Sequence, residues 1–123
     1  MKPGDICWVS FPNFDGTNTL GNRPVVVLIE GPTGHAHDEV VVVAPITADE
    51  DRVANPLDGD ISLEHNHVEC GLRHPSIIRA RQIAALPRNL LRDVSGAVGA
   101  EVLSQAQAIA KDLINSGELP LAW

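Results

Sequence analysis

A chain of 123 residues has room for one domain, and its 44% apolar content supplies a core and excludes intrinsic disorder. No apolar run approaches the roughly 18 residues needed to cross a bilayer. The start, Met1 to Asp5, carries no apolar stretch of signal type, so a cytoplasmic protein with no membrane partner is expected. A net charge of −7 argues against long-range attraction to nucleic acid.

The distribution of charge qualifies that exclusion. Seven of the nine basic residues are arginine, and Arg73, Arg79, Arg81, Arg88 and Arg92 fall in a stretch without an acid. Ten acids lie between Glu30 and Glu69. Arginine suits bidentate phosphate contacts, while a solvated basic face balancing an acidic one is the plainer reading. Cys7 and Cys70 form no C-x-x-C pair and no disulfide framework; Cys7 reads as a small core residue.

In chain order, Asp5 to Phe11 predicts a strand that is apolar on both alternating faces and therefore covered on both sides. Pro12 to Asn22 is rich in turn formers and predicts a long loop. Arg23 to Ile29 predicts a second strand with Pro24 at its start, Gly31 to Gly34 a turn, and Glu39 to Pro45 a third, β-branched strand. Thr47 to Pro56 predicts a polar loop carrying Asp49, Glu50 and Asp51. Asp60 to Glu64 alternates like an exposed strand. Ser76 to Ala80 and Gln82 to Leu86 predict two short strands, or one with a bulge, and Pro87 to Leu91 a single helical turn.

From Gly99 the period changes to that of a helix. Val102, Leu103, Ala106, Ile109, Ala110, Leu113 and Ile114 form one apolar stripe, and Gly117 and Pro120 mark the end. Five or six short strands followed by one helix predict a mainly β, α+β domain spanning residues 1–123, with a small, strongly bent sheet or barrel.

Four segments in order resemble the MazF/PemK family of type II toxin–antitoxin toxins. They are Gly4-Asp-Ile-Cys-Trp-Val-Ser-Phe11, Gly21-Asn-Arg-Pro-Val-Val-Val-Leu28, Val40-Val-Val-Val-Ala-Pro-Ile-Thr47 and Pro75-Ser-Ile-Ile-Arg-Ala-Arg-Gln-Ile83. The resemblance implies an SH3-like barrel of the CcdB/PemK type and a homodimer. It also implies an endoribonuclease that cuts single-stranded RNA without metal or other cofactor, neutralised by a cognate antitoxin. Residue by residue, it implies Arg23 and Thr47 as the catalytic pair. Asp5, Arg79, Arg81 and Gln82 are implied as substrate-binding positions. A guanidinium beside a hydroxyl suits the negative charge that builds on a phosphoryl group in flight.

The sequence also departs from that pattern. The first loop reads Thr17-Asn18-Thr19 where the family commonly has Glu-Gln, and Arg81 stands where many members carry an acid, the proposed general base of the PemK branch. Arginine cannot accept a proton. Alternation along a strand would set Arg81 beside Arg79, facing the same phosphate. Two alternatives accompany the nuclease: an RNA- or antitoxin-binding protein that does not cut, and a gyrase poison of the CcdB branch, to which a terminal Trp123 points. His35-x-His37 and His65-x-His67, with Cys70 and His74 near, raise a zinc site against solvated loop histidines; no metal ligand is assigned.

Overall fold

The computed structural model describes residues 2–12, 19–30 and 39–117. The elements are β1 (Asp5–Pro12), β2 (Thr19–Glu30), β3 (Val40–Thr47), α1 (Glu50–Ala54), β4 (Asp60–Ser62), β5 (Ile77–Arg79), β6 (Ala84–Pro87), β7 (Arg92–Ala97) and α2 (Ala100–Ser116), with a 3₁₀ turn at Arg88–Leu90. The seven strands make one antiparallel sheet in the order β4-β5-β3-β2-β1-β7, and β6 pairs with β3 beside β5.

The mainly β class with a closing helix is as expected, but the sheet is open rather than a closed barrel. Among the described residues no ladder joins β4 to β7. An irregular segment stands between them instead. Cys70 and Gly71 press their backbone against Ser95 and Gly96 of β7 so closely that a Cβ on Gly96 would collide with the Cys70 carbonyl. Packing without a ladder therefore fills the gap.

The central strands separate two cores by alternation. Ile6, Val26, Leu28, Ala44, Ile46, Ile61 and Ile78 face the side where α2 contributes Ala106 and Ala110. Cys7, Val9, Val25, Val27, Val41 and Val43 face the other side, with Leu91 and part of Leu86. The apolar-on-both-faces reading of β1 thus meets its physical cause: Ile6 serves one core, Cys7 and Val9 the other. Burial raises the Cys7 thiol pKa, aided by the nearby Asp5 charge, and burial also raises that of Cys70. Both are core thiols.

Several boundaries differ from expectation. β2 begins at Thr19, inside the predicted loop, because Thr19 and Asn22 pair with Pro12 and Ser10 of β1. The predicted loop after Thr47 contains α1, whose N-cap Asp49 accepts from Asp51 N at 3.0 Å, with Glu50 and Asp51 in the first turn. Acids there are favoured by unpaired amides and the helix dipole. Strand β7 is an addition that the sequence pattern does not predict. α2 spans the predicted stripe and is tied to β2 by Gln107 Nε2 donating to Leu28 O at 2.8 Å, but Ile114 at its end is exposed. The predicted Gly31–Gly34 turn, Pro120, Trp123, His35 and His37, and Thr17 and Asn18 lie outside the described residues.

Candidate functional site

Strand register assembles the site. Val25 pairs with Pro45, so continuing by one same-face pair sets Arg23 of β2 across from Thr47 of β3. Thr47 pairs in turn with Ile77 of β5, and Arg79 lies two residues further along β5, on the same face. Directly opposed residues stand about 5 Å apart and diagonal ones about 7–8 Å, within reach of long side chains. Arg23, Thr47 and Arg79 therefore share one face of three adjacent strands.

The electrostatics agree. The Arg79 pKa lies below its ordinary value, first through burial and then through the Arg52 charge; Asp60 partly offsets this, and Arg23 adds to the repulsion. The guanidinium stays charged at neutral pH. Its Nε is buried and has no hydrogen-bond partner among the described residues. Arg23 is exposed. The Thr47 hydroxyl accepts from Asp49 N at 3.2 Å, which leaves its proton free to donate.

Two further residues belong to this face. Asp60 of β4 is the cross-strand partner of Arg79, and its Oδ2 accepts from Arg52 Nε at 3.2 Å and Leu57 N at 2.8 Å. The sequence motifs single out neither Asp60 nor Arg52. The run Asp49-Glu50-Asp51, read as helix N-cap and first turn, carries the signal for α1 and hence for Arg52.

The other expected positions fall elsewhere. Asp5 is buried at the far end of β1, four residues or about 13 Å from the Val9–Arg23 pair, and accepts from Lys2 N at 2.9 Å. Arg81 does not extend the strand beside Arg79. β5 ends at Arg79, and Gln82 N donates to Arg79 O at 2.9 Å to close a turn. Within that turn the aliphatic stem of Arg81 lies over Gly59, whose φ is +86° and where a Cβ would fall 2.5 Å from Arg81 Cγ. Gln82 is only 3% exposed, and its Oε1 has no partner among the described residues, so it is enclosed rather than presented.

The opposite face carries a cavity of about 470 Å³ lined by Trp8, Pro24, Ile46, Leu72, His74 and Ser95, among others. Trp8 Nε1 donates to Ser95 Oγ at 3.0 Å. Pro24 and Ile46 alternate with Arg23 and Thr47, so this cavity and the arginine face are separate. Among the described residues no group of three or more His, Cys, Asp or Glu is arranged to hold a metal ion. His67 Nδ1 sits 3.1 Å from the Glu64 carbonyl oxygen within the loop after β4.

A small open antiparallel sheet followed by a C-terminal helix is a fold found in toxins of the MazF type. The sequence pattern of PemK-like, MazF-like toxins of type II toxin–antitoxin systems matches residues 2–114, and the chain belongs to that family. No curated protein matches it in sequence. Among solved structures it is similar to the Mycobacterium tuberculosis toxin MazF-mt6, with 23% identity, 98% of this chain and 100% of that one covered, and a TM-score of 0.57. It is also similar to MazE-MazF from Deinococcus radiodurans, with 19% identity, 93% and 94% covered, and a TM-score of 0.62. A third is an endoribonuclease in complex with its cognate antitoxin from mycobacterial species, with 14% identity, 100% and 98% covered, and a TM-score of 0.62. These likenesses establish the shared fold. Among the described residues no helix is long and apolar enough to cross a membrane.

Proposed function

We propose that the chain is the toxin of a type II pair and cuts single-stranded RNA without a metal ion, acting as a homodimer held in check by a cognate antitoxin. The observation that carries this reading is the convergence of Arg23, Thr47 and Arg79 on one sheet face, with Arg52 adjoining and one carboxylate, Asp60, among them. In the reaction the ribose 2′-hydroxyl gives up its proton to water as its oxygen attacks the adjacent phosphorus, and the bond from phosphorus to the 5′-oxygen breaks. A cyclic phosphate forms, and the leaving 5′-oxygen takes up a proton. Arg23 and Arg79 stabilise the charge on the phosphoryl oxygens, and the Thr47 hydroxyl donates to one of them. Guanidiniums thereby take the electrostatic part that metal ions play in other phosphoryl transfers.

The test is RNA incubated with the purified protein in EDTA. Cleavage is expected, and Arg23→Ala and Thr47→Ala each lower it at least tenfold with unchanged circular dichroism. Parental rates in both variants would refute the assignment. Light scattering at micromolar concentration checks the dimer, and a monomeric mass would count against it. A neighbouring reading frame for a small acidic protein is expected for the antitoxin.

One observation favours a second reading, in which the protein holds RNA without cutting. With Arg81 folded over Gly59, residue 81 supplies no proton acceptor to the Arg79 face. Binding in EDTA without cleavage would select that reading.

A further inference from the structure

The site face gathers three guanidiniums around the place of one phosphate diester. A diester in RNA carries a single negative charge. The charges of Arg52 and Arg23 both act on Arg79, and Asp60 partly offsets them.

Arg52 reaches this face through a chain of local causes. Asp49 caps α1, the first-turn acids favour the helix, and Arg52 follows within the same short helix. Its Nε donates to Asp60 Oδ2 at 3.2 Å, and Asp60 is only 4% exposed at the side chain while Arg52 is 25% exposed. Because Asp60 pairs directly with Arg79 across the β4–β5 ladder, one carboxylate stands between Arg52 and the side chain of Arg79. The buried carboxylate uses one oxygen for Arg52 and for Leu57 N. The terminal nitrogens of Arg52 make no hydrogen bond among the described residues. A guanidinium anchored through Nε and open at its fork end is set to receive an anion bidentately.

We propose that Arg52 is a further substrate-binding residue, taking the phosphate next to the one attacked, so that the face grips two successive phosphates of single-stranded RNA. This rests on the RNA-cleaving reading above. Arg23, Thr47 and Arg79 then attend the reacting phosphate, while Asp60 holds Arg52 at the neighbouring one.

The experiment measures equilibrium binding of a 2′-O-methyl RNA oligomer, which lacks the attacking hydroxyl, across a salt series. The proteins are the parent, Arg52→Gln, Arg52→Lys and Asp60→Asn. The parent is expected to bind with a clear salt dependence. Arg52→Gln loses about tenfold in affinity, and its log–log salt slope falls by about 0.7, the value of one lost contact to a single strand. Arg52→Lys keeps most of the slope as a point charge. Asp60→Asn, which leaves Arg52 charged but without its anchor, loses part of the affinity and keeps most of the parental slope, a combination that unfolding does not produce. On an oligomer with neutral methylphosphonates in place of phosphates, the difference between the parent and Arg52→Gln disappears. A parent that binds with salt dependence while Arg52→Gln matches it in affinity and slope overturns the role of Arg52 alone. A parent that shows no RNA binding overturns the RNA reading and this inference with it.

Discussion

Arg88 offers a quantitative test of how the arginine-rich stretch is used. Its Nη2 donates to Glu30 Oε1 at 2.8 Å, and its Nε lies 2.8 Å from Glu39 Oε2. The second approach is an ion pair without hydrogen-bond alignment, since Nε is buried and makes no aligned hydrogen bond. The three side chains are 15–27% exposed, so water screens them only in part. Arg88 N also donates to Glu39 O at 3.1 Å, which places this clamp where the end of β2, the start of β3 and the 3₁₀ turn meet. Arg88→Met keeps the stem and removes the charge. The charge-assisted bond to Glu30 is worth about 1.5 kcal/mol. Screened as it is and off-line, the Glu39 pair adds about 1 kcal/mol. A loss of about 2.5 kcal/mol is therefore expected. With an unfolding entropy of roughly 2.1 cal/mol/K per residue, 123 residues give a fall in Tm of about 10 °C. Thermal denaturation followed by circular dichroism reads this directly, with exposed Arg92→Met as the control expected to stay within about 2 °C. A fall of under about 2 °C for Arg88→Met would refute the clamp and return Arg88 to the solvated basic face.

Gly96→Ala drives a methyl into the Cys70 carbonyl, backbone against backbone, and is expected to cost about 2 kcal/mol or more in chemical denaturation; parental stability would show that the irregular segment is not packed on β7. Leu113→Ala, at a side chain 3% exposed on α2, is expected to cost about 2–5 kcal/mol, whereas Ile114→Ala at 58% exposure changes stability little. Both thiols have raised pKa values in the fold, so the folded chain holds protons that the unfolded chain releases. Their contribution is intact below the unfolded thiol pKa of about 8.5 and is lost as pH rises from there through the folded values, by at most about 1.4 kcal/mol per thiol per pH unit. A Cys7→Ala, Cys70→Ala double variant should flatten that alkaline decline, and an unchanged slope would assign it to other groups.

The parts of the fold legible in the sequence are those whose burial writes a period. Ala106, Ala110 and Leu113 repeat at helical spacing, and Val25 to Leu28 are apolar at every position because both sides are covered. Strand β7 leaves no such trace. Its residues, Arg92 to Ala97, are almost wholly exposed, and only backbone pairing with Asp5, Ile6 and Trp8 makes the segment a strand. β2 extends beyond its apolar run for a related reason, since turn-forming types at Thr19 to Asn22 are overruled by the β1 partner. At the site, the resemblance names Arg23, Thr47 and Arg79, and the register then puts them on one face. Arg81 does not share a strand face with Arg79, because alternation holds only while a strand continues, and β5 stops too soon. The pairing of Arg52 with Asp60 is invisible in the sequence because it joins a helix to a strand, and no single segment records it.

The same alternation explains why the site stands where it does. Even-numbered residues of β2 and β3 from Pro24 to Leu28 and from Ala44 to Ile46 serve the helix-covered side, while Val25, Val27, Val41 and Val43 fill the second core. Arg23 and Thr47 continue that odd-numbered series one step past the last valines and Pro45, where the second core gives way to polar groups. Their backbones are thus fixed by apolar packing next door, although the side chains themselves need no burial. A slip of β2 by one residue would exchange Arg23 for Pro24 on the site face and drive valines out of one core into the other. Many buried side chains therefore oppose any displacement of the two site residues. The cost of keeping a guanidinium and a hydroxyl in place is met by the cores that the same strands must form anyway, which is how so small an open sheet can hold the two residues of the proposed site in register.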